Sequence, residues 1–419
     1  MKDSLSRLFN ALKKYSFVEL ARKIRLFIHA NVFDRLNVFS YFHLRSIRSE
    51  VSRALCEEHD RIIIRASSFG YDVPLFQRPQ QLAKAMTKKG CLIFYEVTSM
   101  SDKVRYISRI SERLYLVNLN VPAVYRTVFR EVLKSDRPKY IEVYSTDRRL
   151  SEKELCYYKA LGFGIIYQYV DHISPEIFGT ATVSESIMEK YRYAMRYPEV
   201  FIIATAERLF RDVTRHRGPR RVILSTNGVD AEHFSTFDGF DFEDRFKSIL
   251  ATKKPLVCYY GALASWIDYE LLQSIADDGR FSLVLIGIKY DDSFDRFKGK
   301  KNIHFLGHRE YSVLKYYARA CDVLIIPFKV NNITRATSPI KVFEYMAIGR
   351  PIVSTDINEC RKYKSVLTAK SHGEFIGLLE NALILKNDDR YKALLYKEAC
   401  ENTWARKADE IITLLKEGE

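Results

Sequence analysis

One run of the sequence carries residue types at spacings that suit chemistry: Ser338-Pro339-Ile340-Lys341-Val342-Phe343-Glu344-Tyr345-Met346-Ala347-Ile348-Gly349-Arg350-Pro351. Ser338 can cap a helix whose first residue is Pro339. The free N–H groups and the dipole at such an end suit a phosphate. Lys341 lies in the first turn and can reach the same anion. Glu344 is one turn further on, where a carboxylate can accept both hydroxyls of a ribose. Thr337 and Tyr345 flank these positions and join the candidate binding set. Gly349 ends the helix. The same residues also fit a plainly capped helix with a solvated Lys and Glu, so the run alone leaves both readings open.

A helix of this kind must be delivered to the carboxyl edge of a sheet, where ligands of open α/β folds bind. Residues 322–328 (DVLIIPF) read as the strand that delivers it, and 351–355 (PIVST) as the next strand. The alternation continues on both sides. Strands are expected at 255–261, 282–287 and 302–307, with helices at 268–277 and 310–320, and 373–417 reads helical throughout. Upstream, strands at 61–67, 91–97, 113–119, 139–145, 164–171 and 200–206 alternate with helices starting near Pro79 and near 123–134, 151–161 and 184–195. The pattern predicts doubly wound parallel sheets. Two βα domains of similar size result, 56–234 and 255–400, with a polar Asp/Lys-rich linker at 235–254. Residues 401–419 are expected to form a last helix that crosses back to the first domain.

The 419 residues fit two such domains, and 47% hydrophobic with 28% charged residues excludes global disorder. A net charge of +15 and a pI near 9.3 favour anionic partners: nucleotides, phospholipid headgroups or nucleic acid. The seven cysteines are scattered without a CxxC pair, and several sit in apolar runs, which reads as buried free thiols in a reducing compartment. No apolar stretch is long enough to cross a membrane, and Arg7, Lys13, Lys14 and Arg22 interrupt any signal-peptide core. The protein is therefore expected in the cytoplasm, peripheral on the inner face of the cell membrane.

Residues 1–55 hold eleven Lys/Arg against four Asp/Glu. Leu5, Leu8, Phe9 and Leu12 fall on one helical face, and Leu20, Ile24, Phe27 and Ile28 on another. Such helices can lie on an anionic membrane or pack on the protein body. A second basic stretch with interleaved tyrosines, 190–221, offers a lipid-phosphate or membrane face, or a solvated helix face; no nucleic acid is expected as a partner.

Several stretches in order resemble GT-B glycosyltransferases, in the broad grouping of the GT4 family and bacterial surface-polysaccharide (group 1) enzymes. They are FQRPQQLAKAM (76–86), YQYVDHIS (167–174), STNGVDAEHF (225–234), CYYGALASWIDYELL (258–272), FLGHREYSVLKYYARACDVLIIPF (305–328) and the run from Ser338. The resemblance spans roughly 61–395. It implies two Rossmann-like domains facing across a cleft, an acceptor domain followed by a nucleotide-sugar domain. It also implies a nucleotide diphosphate-sugar donor, with UDP as the default, and a lipid-linked saccharide acceptor. One departure stands out. Many GT4 members carry two glutamates eight positions apart; here the second is Glu344 and the first position is Ala336. That fits similarity to inverting glucuronosyltransferases of exopolysaccharide assembly, which use a carboxylate of the first domain as base.

An inverting transfer needs a base to deprotonate the acceptor hydroxyl as the diphosphate leaves. Asp171, at the end of strand 164–171, is the first candidate, Asp72 in the loop after the first strand the second, and His172 the third. Asp171 also fits a helix cap. Gly261 and Ala262 would let the chain approach a diphosphate closely, although Gly261 also fits a tight turn. Arg309 falls in the loop that faces the base in the family, and Arg78 starts a helix where it could touch acceptor or phosphate; each also fits a structural arginine. Asp268 reads as a cap of the helix after it, and Asn227-Gly228 as a turn between domains. The acidic groups 238–244 and 291–295 lie in polar connections, so no metal and no cofactor is expected. A retaining transferase on the same fold and a catalytically silent membrane scaffold remain as alternatives.

Overall fold

The computed structural model describes residues 38–66, 69–73, 76–97, 102–178, 182–290, 292–297 and 299–418. The amphipathic faces at Leu5–Leu12 and Leu20–Ile28 lie outside the described residues. Two compact units divide the chain. The first takes the described part of the chain up to Val73, with Met86–Val143 and Asp147–Ile165; the second takes Pro74–Ala85, Tyr144–Thr146 and the chain from Ile166 on.

In the first unit, β1 (Arg61–Arg65), β2 (Cys91–Glu96), β4 (Leu114–Val117) and β5 (Lys139–Tyr144) pair in parallel, and β3 (Ile107–Ser111) adds an antiparallel edge, in the order β3-β4-β2-β1-β5. Strands covered on both faces read as continuous apolar runs, and β2 and β4 are buried along their whole length. The exposed, polar β3 gave no such signal and was not expected. Arg65 and Glu142 sit opposite each other in the β1/β5 register, both fully buried, and pair side chain to side chain. Either charge alone would be costly there. The last part of the basic N-terminal segment belongs to the body: helix Leu44–Cys56 buries Ile47, Val51 and Ala54 and packs on helix Pro122–Leu133.

The second unit holds two runs of parallel strands. β6 (Gly164–Tyr169), within which the unit boundary falls, pairs with β7 (Phe201–Ala204), and β7 with β8 (Val222–Leu224). The six strands β9 (Leu256–Tyr260), β10 (Ser282–Ile286), β11 (Ile303–Gly307), β12 (Val323–Ile326), β13 (Ile352–Thr355) and β14 (Val366–Ala369) form one parallel sheet, ordered β11-β10-β9-β12-β13-β14. The chain winds outward from β9 to β11, then returns to β12 beside β9 and winds the other way. The carboxyl ends of β9 and β12 are thus the switch point of the sheet, where doubly wound folds bind their ligands. The doubly wound parallel architecture expected from the alternation is observed.

Some local expectations change. The connection at 235–254 carries a helix, Asp244–Leu250, whose Phe246 and Ile249 are buried with Tyr317 in the core of the six-stranded sheet. Helix Trp404–Lys416 packs on β7 and β8, and Ser225 Oγ donates to Glu410 Oε2 at 2.6 Å. All seven cysteines are free thiols as expected, but Cys56 and Cys156 are exposed rather than buried. Among the described residues no helix is long and apolar enough to cross a membrane.

Two glycines fix the switch point. Gly261, after β9, has φ +144°, and Gly287, after β10, has φ +143°. A Cβ on Gly287 would run into the carbonyl of Gly261. Gly287→Ala should therefore cost about 2–4 kcal/mol of unfolding free energy, as for other changes that force strain on a packed backbone. Urea denaturation measures it, and an unchanged midpoint would refute the close approach.

Candidate functional site

The loops after β9 and β10 are tied together: Gly261 N–H donates to Ile286 O at 2.8 Å, Leu263 N–H to Ile288 O at 2.9 Å, and Tyr290 N–H back to Leu263 O at 2.8 Å. Ala262 is held from below, its carbonyl accepting the Tyr259 hydroxyl at 3.1 Å. The side of Gly261 that a Cβ would occupy is filled by the Lys341 stem and ammonium. Gly261 is thus more than a turn residue; it makes room for the lysine.

Lys341 is on the helix Ile340–Ile348, which Gly349 ends in the left-handed conformation (φ 72°, ψ 40°). The start of that helix differs from expectation. Pro339 has ψ 119° and is the cap position itself, and no side chain caps the helix. Ser338 is used elsewhere: its Oγ accepts from Asn227 N–H at 3.3 Å and its carbonyl from Asn227 Nδ2 at 2.6 Å. The Ser338 hydroxyl takes none of the first-turn N–H groups; Val342 N–H turns back to Pro339 O at 3.2 Å, and those of Ile340 and Lys341 are left to an anion.

Lys341 is half-buried, and among the described residues its ammonium makes no hydrogen bond and no ion pair. Burial pushes its pKa down, and the Glu344 charge opposes that. Glu344, one turn on and 6% exposed, accepts the Tyr260 hydroxyl on Oε2 at 2.8 Å. Burial pushes the Glu344 carboxyl up, while the Lys341 charge and the Tyr260 hydroxyl pull it back. Tyr345 points to the core, where its hydroxyl accepts Tyr260 N–H at 3.3 Å and its ring meets that of Tyr260 edge-on. It supports the strand rather than opening to a ligand.

Thr337 brings a second chemical group to the region. Its hydroxyl donates to Ile333 O at 2.9 Å and stands close enough to the Asp171 side chain to act on its carboxyl. One hydroxyl proton cannot serve both acceptors, so Asp171 is incompletely solvated by the protein. Burial pushes its carboxyl up to about 7, against the Thr337 hydroxyl. His172 beside it is pushed down by burial and by Arg208. Asp72 belongs to the first unit; it is exposed, and its N–H donates to Asp102 Oδ1 at 2.5 Å.

Other candidates turn out to hold the scaffold. Arg309 Nη1 donates to Leu306 O at 2.6 Å and His308 O at 3.0 Å, and the guanidinium pairs with Glu243. Buried Arg78 joins Gln168 Oε1 at 3.2 Å to Thr226 O at 2.9 Å. Asp268 caps its helix as expected, accepting Leu271 N–H at 2.9 Å, and its other oxygen meets His372 Nε2 at 2.9 Å. The basic stretch 190–221 is not one open face. Lys190 is fully buried, and Arg217 donates to the carbonyls of Ala194, Tyr197, Val200 and Arg220 at 2.6–2.9 Å.

Sequence reasoning missed Tyr260, which lay inside an apolar strand run, and Tyr311. Gln81 Nε2 donates to the Tyr311 hydroxyl at 2.7 Å, and the Tyr311 ring stacks on His233 with centroids 5.0 Å apart.

Residues 255–386 match the family model described as glycosyl transferases group 1. The matched stretch is about a third of the chain. It contains Gly261, Lys341 and Glu344. The Bacillus subtilis (strain 168) protein TuaH, assigned as a teichuronic acid biosynthesis glycosyltransferase, is 24% identical over 215 residues, which cover 48% of this chain and 53% of that protein. The chain thus spans about half the length of the curated relative it matches. Anabaena Alr3699/HepE in complex with UDP superposes with a TM-score of 0.61 at 13% identity, over 85% of this chain and 100% of that one. Sucrose-phosphate synthase from Thermosynechococcus elongatus follows at 0.59 and 14%, over 86% and 99%. At these identities the likeness is one of fold, and the fold is GT-B. The resemblance read from the sequence motifs is met on both counts.

An unpaired ammonium held half-buried costs stability. Lys341→Met keeps the stem and removes the charge. It is expected to stabilise the unliganded protein by about 0.5–2 kcal/mol near neutral pH, as site-relieving changes commonly do. The folded lysine loses its proton below the pH at which the unfolded one does. The unfolded chain then binds more protons in that alkaline window, so wild-type stability rises with pH there. The Met variant lacks that rise. Urea denaturation at neutral and alkaline pH reads both, and a destabilised Met variant would contradict an uncompensated charge.

Proposed function

We propose that this protein is a glycosyltransferase that transfers a sugar from a nucleotide diphosphate-sugar, UDP being the default nucleotide, to a saccharide acceptor in surface-polysaccharide assembly. The observation that carries the reading is the Lys341 ammonium, without a hydrogen-bond or ion-pair partner among the described residues, set against Gly261 at the switch point of the sheet, with Glu344 one turn away. An ammonium next to bare backbone N–H groups suits a diphosphate, and a carboxylate at that distance suits ribose hydroxyls. The group 1 domain match and the UDP bound to the Anabaena relative support the same assignment.

For the reaction, an acceptor oxygen attacks the anomeric carbon while the bond to the donor diphosphate breaks. The acceptor proton passes to a base, and the negative charge that builds on the diphosphate is met by Lys341 and the first-turn N–H groups. This needs no metal. Asp171 is the base we favour, because burial holds its carboxyl near 7, where it can take a proton and still be ionised. With Ala336 where the family's first glutamate would stand, the course we favour is inverting. Calorimetric titration of UDP tests the donor site. Lys341→Ala and Glu344→Ala should each weaken binding by about 1.5–3 kcal/mol, the worth of a charged hydrogen bond. Asp171→Asn should leave UDP binding within twofold and lower transfer by about 100-fold or more, and wild-type transfer should rise with pH through about 7. Unchanged UDP affinity in both site variants would remove the assignment; full transfer by Asp171→Asn would remove the base.

The acceptor we favour is lipid-linked, with the enzyme on the inner face of the cell membrane. The net charge of +15 supports this, as do Tyr41, Phe42 (84% exposed) and Leu44 beside the exposed Arg45 and Arg48. Because helix Leu44–Cys56 packs on the body, the fair comparison is the full chain against residues 38–419. The full chain should float with anionic liposomes more than the shorter one, which keeps Tyr41, Phe42 and Leu44; equal flotation removes the membrane role of the first 37 residues.

A further inference from the structure

The hydrogen bond between β9 and the helix Ile340–Ile348 has a use beyond packing. Tyr260 is the last residue of β9, 3% exposed, directly before Gly261. Its backbone N–H is fixed by the Tyr345 hydroxyl and its ring by the Tyr345 ring, with centroids 5.0 Å apart at 80°. The phenol can therefore move little, and its hydroxyl meets Glu344 Oε2 at 2.8 Å. Among the described residues that is the one hydrogen bond the carboxylate makes, which leaves Oε1 without a protein donor.

We propose that Tyr260 is a positioning residue for the nucleotide: its hydroxyl occupies Oε2 of Glu344, fixes the carboxylate rotamer and so presents Oε1 to a ribose hydroxyl. The inference rests on the donor-site reading above and deepens it. A carboxylate held at one oxygen by a rigid donor loses less freedom on binding than a swinging one. The donor also favours the ionised carboxylate, which is the better acceptor. The titratable groups facing Glu344 are Lys341 on its own helix, Tyr260 on β9, Tyr345, and Tyr311 from helix Tyr311–Ala320. Of these, Lys341 and Tyr260 favour the carboxylate, against burial. Removing the phenol hydroxyl moves the Glu344 carboxyl up, so it stays protonated to a higher pH than in the wild type. Raising the pH restores the charge. Loss of the Lys341 proton at high pH weakens phosphate binding in wild type and variant alike, so their ratio reports Glu344.

The experiment is calorimetric titration of UDP and of its 2′,3′-dideoxy analogue into wild type, Tyr260→Phe, Lys341→Ala and Glu344→Ala, with folding checked by circular dichroism. Tyr260→Met, a second variant without the hydroxyl, guards against a Phe variant that does not fold. Wild type should prefer UDP over the dideoxy analogue by about 10-fold or more, as expected for a charged hydrogen bond. Tyr260→Phe should lose most of that preference, and its UDP affinity relative to wild type should recover as pH rises above neutrality. Lys341→Ala should weaken both ligands and, because Tyr260 still holds Oε2 of Glu344, keep the preference at a pH high enough to ionise the carboxylate. If Glu344→Ala abolishes the preference while folded Tyr260→Phe and Tyr260→Met keep it, the positioning role is overturned and the donor site stands. If wild type binds neither ligand, or Glu344→Ala changes nothing, the donor-site reading falls and the inference with it.

Discussion

The site depends on a lysine whose ammonium, among the described residues, makes no hydrogen bond and no ion pair. Lys341 can sit where it does only because Gly261 lacks a side chain, and Gly261 can turn there only because Gly287 lacks one too. The two glycines follow adjacent strands, β9 and β10, so the sheet register brings the empty positions together. Elsewhere the chain treats exposed helix dipoles differently. The N-terminus of helix Glu207–Arg217 is filled by a carboxylate of the protein, with Glu207 N–H donating to Glu359 Oε1 at 2.8 Å and Lys362 balancing the same carboxylate. Where structure alone is at stake, charge is closed internally. At the switch point it is left open.

The same contrast runs through the arginines. Arg217, Arg309 and Arg350 direct their guanidinium donors to main-chain carbonyls, and Arg65 is matched by Glu142 inside the first sheet. The high net charge is thus partly a property of the framework. A guanidinium has several donors in a fixed fork, which suits it to gathering carbonyls at loop and helix ends. A single ammonium on a flexible stem is easier to leave unpaired, and that is the residue type found at Lys341.

Much of this was legible in the sequence because it is local. The βα alternation, the helix stop at Gly349, the cap at Asp268 and the positions of Lys341 and Glu344 follow from periodicity and spacing over a few residues. What stayed hidden depends on partners far along the chain. Tyr260 reads as one more apolar residue in a buried strand; its role appears only when a helix 84 residues later places Glu344 against it. Ser338 looked like a cap, but Pro339 stays extended and the hydroxyl goes to Asn227, 111 residues earlier. The basic stretch 190–221 misled because a charge count does not say whether a side chain faces water or a carbonyl. The edge strand β3 escaped because a half-exposed strand has no apolar run to announce it.

One seam in the second unit has a bearing on how the chain is made. Val229 N–H donates to Asn402 O at 2.9 Å, and Trp404 N–H donates back to Val229 O at 3.1 Å. Gly228 sits so close that a Cβ would strike the backbone between Asn402 and Trp404. These bonds cannot form until residue 404 has been synthesised, and the helix that follows it must then dock on β7 and β8. During translation the flank of β8 therefore stays uncovered until the residues around Trp404 have been made. All residues of the first unit lie at or before Ile165, so they are made well before that seam can form.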